Sequence, residues 1–330
     1  MIEEMLAPRN LLSIEDLGRE GILEILHESE TFVEVASRRM PKVPALRGKT
    51  IATVFFEKST RTRLSFEMAA KRLSADTLTV DISASSMSKG ESLRDTLETI
   101  DALGVDAIVM RHQSSGAAVL ASKWVQACVI NAGDGQHEHP TQALLDAFTL
   151  RAAIRRARGS AIEDLDGCRV AIVGDIRHSR VARSNVLALS ALGARVTLVG
   201  PLELLPVSVE DWPIDAVTED LDAVLPATDA CYVLRIQHER MADAGLADLR
   251  EYRRNFGLTV ERSRALAPGA SIMHPGPLNR GVEIDSQVAD GPNSLIRAQV
   301  RNGVPVRMAV LFRLLGTARD NTEAIGDGRG

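Results

Sequence analysis

Short β-type runs and amphipathic helical patterns alternate along almost the whole chain of 330 residues. Since a helix that joins two neighbouring parallel strands forms a right-handed βαβ unit, this alternation predicts mostly parallel sheets. It breaks at a polar segment, residues 159–167, and then starts again, so the chain is predicted to form two α/β halves. The predicted strands are 50–56, 77–81, 106–110, 127–131, 169–173, 195–199, 230–234 and 271–273.

The predicted first domain covers residues 1–150 and the second covers residues 151–303. A last apolar helix, residues 304–316, is expected to pack back on the first domain, and the polar tail 317–330 is expected to be disordered. Ligands of parallel sheets bind beyond the carboxyl ends of the strands. The predicted fold is therefore two doubly wound parallel-sheet domains with the active site in the cleft between them.

Composition excludes several classes of protein. A formal net charge of -5 argues against a general nucleic-acid binder, and no apolar run is long enough to cross a membrane. The acidic N-terminus lacks a signal-peptide pattern. The three cysteines are widely spaced and form no CxxC motif, which is typical of reduced thiols in the cytosol. We therefore predict a soluble cytoplasmic protein.

Residues 59–63, with the sequence STRTR, follow the first predicted strand and open a helical pattern. Ser59, Thr60 and Thr62 are residue types that cap helices. Arg61 and Arg63 place two cations at the positive end of the helix dipole, which is unfavourable unless an anion joins them. The pattern predicts a phosphate site. The alternative is an ordinary capped helix with two solvated arginines.

Five further cations or donors are candidates for the same chemistry. Arg111, after a strand, and His139, at a helix start, could donate to a polarised carbonyl oxygen; the alternatives are a surface arginine and a capping histidine. Arg180 and Arg235 could grip carboxylates in the second domain, or they could form surface salt bridges. Lys89, in a Ser-rich loop, is either a mobile site charge or a solvated lysine.

Other familiar chemistries fit the chain poorly. The turn at residues 173–178 lacks the further glycines of a dinucleotide site, and neither a Walker-type loop nor a Gly-x-Ser-x-Gly elbow occurs. Residues 137–139, with the sequence HEH, suggest a metal site only weakly, because no third ligand pattern lies nearby. We therefore predict no metal and no cofactor.

The STRTR segment, together with residues 139–142 (HPTQ), resembles the aspartate/ornithine carbamoyltransferase family. Residues 88–92 (SKGES) and 274–284 (HPGPLNRGVEI) resemble the aspartate enzymes of that family, since the ornithine enzymes carry a cysteine where this chain has Pro275. The resemblance extends over nearly the whole chain. It implies transfer of the carbamoyl group of carbamoyl phosphate to the α-amine of L-aspartate, an early step of de novo pyrimidine biosynthesis.

The resemblance also implies roles for single residues. Thr62, Arg111 and His139 would be catalytic, because they donate to the carbonyl oxygen. Backbone carbonyls of Pro275 and Gly276 would approach the two amines. Carbamoyl phosphate would be bound by Ser59, Thr60, Arg61, Thr62, Arg111, His139, Gln142, Gly276 and Pro277. Aspartate would be bound by Lys89, Arg180, Arg235 and Gln237.

Within the family, Ser85 and Lys89 match residues that enter the site from a neighbouring subunit, which implies a homotrimer with shared active sites. Regulatory subunits or a dihydroorotase partner are left open. Two alternatives to the leading function stand beside it. One is a carbamoyltransferase for another amino acid, and the other is a catalytically idle paralogue that serves as a structural subunit.

Overall fold

A computed structural model describes residues 10–80, 91–159, 164–236 and 249–316. The chain divides into two units, Met1–Leu144 with Asn302–Gly330, and Leu145–Arg301. The first change of unit falls inside the helix Pro140–Arg158 and the second inside the helix Ile296–Leu315. The boundaries predicted from the sequence lie further along these same two helices. Each unit contains its own sheet.

The sheet of the first unit is parallel throughout its described strands. These are β1 Thr50–Phe55, β2 Asp76–Val80, β3 Ala107–His112 and β4 Cys128–Asp134. Their spatial order is β2-β1-β3-β4, so the chain moves from β1 to one edge and then returns to the other side. Because crossovers are right-handed, this reversal places helices on both faces of the sheet. β1 and β3 lie in its interior, and their aliphatic side chains are buried.

The helices of the first unit are α1 Gly18–Ser37, α2 Thr60–Arg72, α3 Leu93–Ala102, α4 Ala117–Trp124 and the first residues of α5 Pro140–Arg158, which continues into the second unit. In α1 the residues Ile22, Ile25 and Leu26 are buried, which is the three-and-four spacing of one helix face. In α3 the Ser92 hydroxyl accepts the N–H of Asp95 at 3.1 Å and caps the helix.

The second unit also contains a parallel sheet with helices between its strands. Its described strands have the order β7-β6-β5-β8-β9. The strands are β5 Arg169–Val173, β6 Arg195–Val199, β7 Ala216–Thr218, β8 Ala230–Val233 and β9 Ser271–Met273. The strand order reverses between β5 and β8. The helices are α6 Arg180–Ala191, α7 Leu221–Val224, α8 Leu249–Phe256, α9 Val260–Ala265, α10 Ser286–Ala289 and the first residues of α11 Ile296–Leu315, which continues into the first unit.

The end of α11 is part of the first unit, where it packs against α1. The rings of Phe312 and Phe32 meet edge to face with centroids 5.6 Å apart. Arg313 donates to the carboxylate of Glu28 at 3.0 Å. Among the helices of the described residues, none combines the length and apolar character that a bilayer-spanning helix needs.

The prediction of two parallel-sheet α/β domains is confirmed, while several element bounds differ. The last helix begins at Ile296 and continues through Pro305, where the sequence predicted a start at residue 304. Strand β4 continues to Asp134, beyond the predicted strand end at residue 131. Before α1 begins, the Ser13 hydroxyl accepts the N–H of Asp16 at 3.1 Å in a turn.

Candidate active site

The carboxyl ends of β1 and β3 lie side by side where the strand order of the first sheet reverses. Phe55 pairs with Arg111 across these strands, and the N–H of Phe56 donates to the Arg111 carbonyl at 2.9 Å. Residues 59–63 follow β1 closely, so the predicted phosphate segment and Arg111 leave adjacent strands at the same edge. Open parallel sheets bind their ligands at such a reversal point.

The start of α2 presents backbone donors and positive charge together. The first intrahelical hydrogen bond runs from Arg63 N–H to Ser59 O, at 3.2 Å, so the N–H groups of residues 60–62 have no acceptor within the helix. The predicted capping by the Ser59 hydroxyl is wrong, because that side chain makes no capping hydrogen bond. No acidic residue lies in the first turn, where Thr60 and Arg61 are exposed. This arrangement suits an anion.

Arg111 is held in place rather than solvated, since only 15% of its side chain is exposed. Its Nε donates to Glu57 Oε2 at 3.1 Å, and its Nη1 donates to the carbonyl of Ala132, also at 3.1 Å. These two acceptors hold the Arg111 guanidinium at the carboxyl ends of the strands. The structure therefore argues against the alternative of an ordinary surface arginine.

Thr62 and His139 are brought together although 77 residues separate them in the sequence. Both side chains are buried, and Thr62 Oγ1 lies 3.5 Å from His139 Nε2. His139 directly precedes α5, and its carbonyl accepts the N–H of Gln142 at 2.9 Å. Two of the three predicted carbonyl donors thus form one buried pair.

Asp134, which sequence reasoning missed, fixes the loop that leads to His139. Its buried carboxylate accepts the backbone N–H of Gly116 at 2.7 Å, the Asn131 amide at 2.8 Å and the N–H of Glu138 at 3.2 Å. These hydrogen bonds fix the backbone of the loop that precedes His139. In the sequence, the one sign of this role is that the polar residues Asn131 and Asp134 stand at the end of an apolar strand.

The three residues of the HEH segment point to different partners. His137 Nδ1 lies 3.1 Å from Asp134 Oδ2, Glu138 Oε2 accepts the N–H of Ile14 at 2.9 Å, and His139 faces Thr62. Across the part of the chain that the structure describes, no group of three or more His, Cys, Asp or Glu side chains is placed to hold a metal ion.

In the second unit, two predicted carboxylate-binding arginines lie near strand ends at the reversal point. Arg180 is the first residue of α6, and the preceding Ser179 hydroxyl caps that helix by accepting the N–H of Ala182 at 3.1 Å. Arg235 is exposed and comes two residues after β8. Since β5 and β8 are neighbours, the segments that carry the two arginines begin side by side.

The loop that begins at His274 is held by its own histidine. Gly276 N–H donates to His274 Nδ1 at 2.8 Å, so this nitrogen is the acceptor and Nε2 carries the hydrogen. Nε2 donates to the buried carboxylate of Glu283 at 3.2 Å. Gly276 has a φ of 65°, a conformation that favours glycine. The backbone next to Pro277 is thereby fixed.

Asn279 ties this loop to the segment after β8, because its side-chain amide donates to the carbonyl of Ile236 at 2.6 Å. Ile236 directly follows Arg235. Three other predicted site residues, Ser85, Lys89 and Gln237, lie outside the described residues.

His112 should make stability depend on pH. Its ring packs edge to face on Phe56 and its Nδ1 accepts the N–H of Ser114, and burial lowers the pKa of the imidazole below its usual 6.5. As pH falls through 6.5, His112 is therefore protonated in the unfolded chain before it is protonated in the folded one. The free energy of unfolding decreases from this pH down to the lowered pKa of the folded state. His112→Asn, which keeps an acceptor for Ser114, should reduce the loss of unfolding free energy between about pH 7 and pH 5. Denaturant melts at both pH values measure this, and equal losses in the two proteins would contradict it.

Comparisons with known proteins agree with this geometry. The model of the aspartate/ornithine carbamoyltransferase carbamoyl-phosphate-binding domain matches residues 9–152, and the model of the Asp/Orn-binding domain matches residues 166–314. Fold, strand-end chemistry and these matches together define a two-domain transferase. The chain belongs to the aspartate/ornithine carbamoyltransferase family.

Relatives that match nearly the whole chain include several aspartate enzymes of this family. The aspartate carbamoyltransferase catalytic subunit of Leifsonia xyli is 55% identical over 94% of this chain and 99% of its own length. The catalytic subunit of M. jannaschii aspartate transcarbamoylase is 40% identical, with a TM-score of 0.80 over 96% of this chain and 99% of that one. Aspartate transcarbamoylase from Trypanosoma cruzi in complex with carbamoyl phosphate and aspartate is 29% identical, with a TM-score of 0.82 over 94% of this chain and 98% of that one.

Proposed function

We propose that this chain transfers the carbamoyl group of carbamoyl phosphate to the α-amine of L-aspartate, giving N-carbamoyl-L-aspartate and phosphate. The observation that carries the proposal is the start of α2, where backbone N–H groups and Arg61 share a first turn without an acidic residue and Thr62 lies against His139. The aspartate enzymes among its relatives, one of them bound to both substrates, support aspartate as the acceptor. The step belongs to de novo pyrimidine biosynthesis.

Carbamoyl phosphate is recognised through its phosphate and its carbonyl oxygen. Ser59, Thr60 and Arg61, with the first N–H groups of α2, bind the phosphate, and Arg111 reaches both phosphate and carbonyl. A phosphate at a helix start gains from both the dipole and charge-assisted hydrogen bonds. Gln142, Gly276 and Pro277 complete recognition of the carbamoyl group.

The chemical step requires hydrogen-bond donors to the carbonyl oxygen rather than a side chain that acts as a base. The aspartate amine attacks the carbamoyl carbon, and negative charge gathers on the carbonyl oxygen, where Thr62, Arg111 and His139 donate. One donor of this kind is typically worth about 3 kcal/mol. The bond to phosphate then breaks, and a phosphate oxygen takes the proton from the amine. Holding both substrates in attack geometry supplies much of the remaining acceleration.

Aspartate is bound by Arg180, Arg235 and Gln237, since guanidinium groups pair with carboxylates in two parallel hydrogen bonds. Lys89, with Ser85, comes from a neighbouring subunit of a homotrimer. The enzyme is proposed to act in the cytoplasm. Regulatory or dihydroorotase subunits are further partners that an assembly of this kind could bind.

Phosphate release from carbamoyl phosphate tests the proposal. The full chain should release phosphate only when aspartate is present, and ornithine or other amino acids should give at most a small fraction of that rate. A faster reaction with another amine would establish a carbamoyltransferase of different specificity. No turnover with any amine would overturn the proposal and favour the structural paralogue.

Glu57 should matter because it orients Arg111. Glu57→Ala removes the acceptor of Arg111 Nε and should lower kcat/KM for carbamoyl phosphate by about tenfold, while Glu57→Gln keeps an acceptor oxygen and should lose less. Thermal stability should change little, since partly exposed ion pairs contribute little. Glu98→Ala, which breaks the exposed pair with Arg94, is the matched control and should leave the kinetics unchanged. Equal kinetics in Glu57→Ala and the control would contradict the orienting role.

A further inference from the structure

Asp146 is a buried carboxylate in α5 to which the proposed mechanism gives no role. It is 0% exposed. Its Oδ2 accepts the hydroxyl of Tyr232 at 2.7 Å and the amide of Asn185 at 3.0 Å, and its Oδ1 accepts the amide of Gln299 at 2.7 Å. A carboxylate is costly to bury and is retained where its hydrogen bonds define a single arrangement of the groups around it.

Two of the three donors lie on elements that carry a proposed binding group of the second unit. Tyr232 is in β8, three residues before Arg235. Asn185 is in α6, the helix that begins at Arg180. One oxygen of the Asp146 carboxylate therefore accepts hydrogen bonds from both elements, β8 and α6. The arginines associated with these two elements are proposed to bind aspartate.

The third donor leads to the loop at residues 274–277. Gln299 donates to Asp146 with its amide nitrogen and accepts the backbone N–H of His274 with its amide oxygen, at 3.1 Å. His274 in turn holds Gly276 through its Nδ1. A continuous chain of hydrogen bonds thus runs from Asp146 to the loop whose backbone carbonyls are expected to approach the amines of the carbamoyl group and of aspartate.

The alternative is that Asp146 has a purely structural role. A local hydrogen bond within the same unit is an example of such a role. The hydroxyl of the buried Thr228 donates to the carbonyl of Val224 at 3.0 Å, only four residues earlier in the chain. The partners of Asp146 lie 39, 86 and 153 residues away along the chain. Such long-range bonds fix elements relative to one another within the unit, which a local bond cannot do.

We propose that Asp146 is a positioning residue for aspartate binding, which acts through Tyr232, Asn185 and Gln299 on the segments that carry Arg180, Arg235 and the loop at 274–277. This inference rests on the proposed function, since that function assigns Arg180 and Arg235 to aspartate and places the loop at 274–277 beside the carbamoyl group that aspartate attacks. Two carboxylates of one small substrate must meet two arginines at once, so small displacements of β8 or α6 weaken both contacts together.

Three variants of the full chain test this role. Asp146→Ala removes the common acceptor and should raise the KM for aspartate by about tenfold to a hundredfold. Tyr232→Phe keeps the ring and removes one hydrogen bond, and it should raise that KM by about fivefold. Thr228→Val removes a local buried hydrogen bond of the same unit and should leave the KM unchanged. Competitive inhibition by inorganic phosphate against carbamoyl phosphate should be the same in all four proteins, because its proposed site lies in the first unit.

The possible outcomes distinguish a failure of the role proposed for Asp146 from a failure of the proposed function. If the melting temperature falls in Tyr232→Phe as in Thr228→Val while the KM for aspartate stays at the wild-type value, Asp146 is merely structural and the inference is wrong. If Asp146→Ala does not fold, Tyr232→Phe alone decides. If the wild-type chain shows no aspartate-dependent release of phosphate, the proposed function itself has failed, whatever the three variants do.

Discussion

Arg61→Ala is expected to abolish carbamoyl phosphate binding while leaving the fold intact. Arg61 lies in the first turn of α2, which contains no acidic residue, and its side chain is exposed. Charge-assisted hydrogen bonds to a phosphate are strong, so kcat/KM for carbamoyl phosphate should fall by about a thousandfold. Substitution of an exposed residue in a helix changes stability only slightly. Steady-state kinetics, inhibition by inorganic phosphate and a thermal melt measure the three quantities.

Arg63→Ala is the matched control for that experiment. Arg63 lies two residues further along the same helix, is also exposed, and has its Nε 3.8 Å from the carboxylate of Glu67. It shares the charge and the helix end but is not among the residues proposed to bind phosphate, so it should lose less than about tenfold. Equal losses in the two variants would mean that the helix start attracts anions only by its general field. Undiminished inhibition by phosphate in Arg61→Ala would refute the phosphate assignment.

Much of the fold could be predicted because strand formation depends on local sequence. Residues 169–173, 195–199 and 271–273 are short, largely apolar runs followed by glycine or a polar residue, and they form β5, β6 and β9 within the predicted bounds. The strand-end clusters could be predicted for the same reason, since polar residues directly after a buried strand must lie at the sheet edge. That rule located the start of α2 and Arg111 without any knowledge of the strand order.

The supporting residues could not be predicted, because their roles depend on partners far away in the sequence. Asp146 and Gln299 lie in helices, where one polar residue on an otherwise apolar face looks like any exposed position. Asp134 looks like the first residue of a turn, yet it ends β4 and is buried. The capping expected of Ser59 failed for a related reason: a hydroxyl next to free N–H groups does not cap unless its own backbone turns it toward them.

A mixture of two inactive variants should recover activity if the sites are shared between subunits of a trimer. His139→Ala removes a proposed carbonyl donor, and Lys89→Ala removes the residue proposed to enter the neighbouring site, so each variant alone should have below about 1% of wild-type activity. In a closed ring, every mixed trimer contains one interface at which intact His139 of one chain meets intact Lys89 of the next. Because the symmetry is cyclic, this holds for either composition of the mixed trimer, and each should show about one third of wild-type activity.

The experiment requires trimers of known composition. Two different affinity tags on the two variants allow mixed trimers to be isolated after the chains are dissociated and reassembled together. Each variant reassembled with itself is the control, and it should stay inactive, which excludes recovery through refolding alone. Activity near one third in the mixed trimers would fix Lys89 as a residue contributed across an interface. No recovery in verified mixed trimers would instead place Lys89 and His139 in the same chain's site, and the proposed sharing would have to be abandoned.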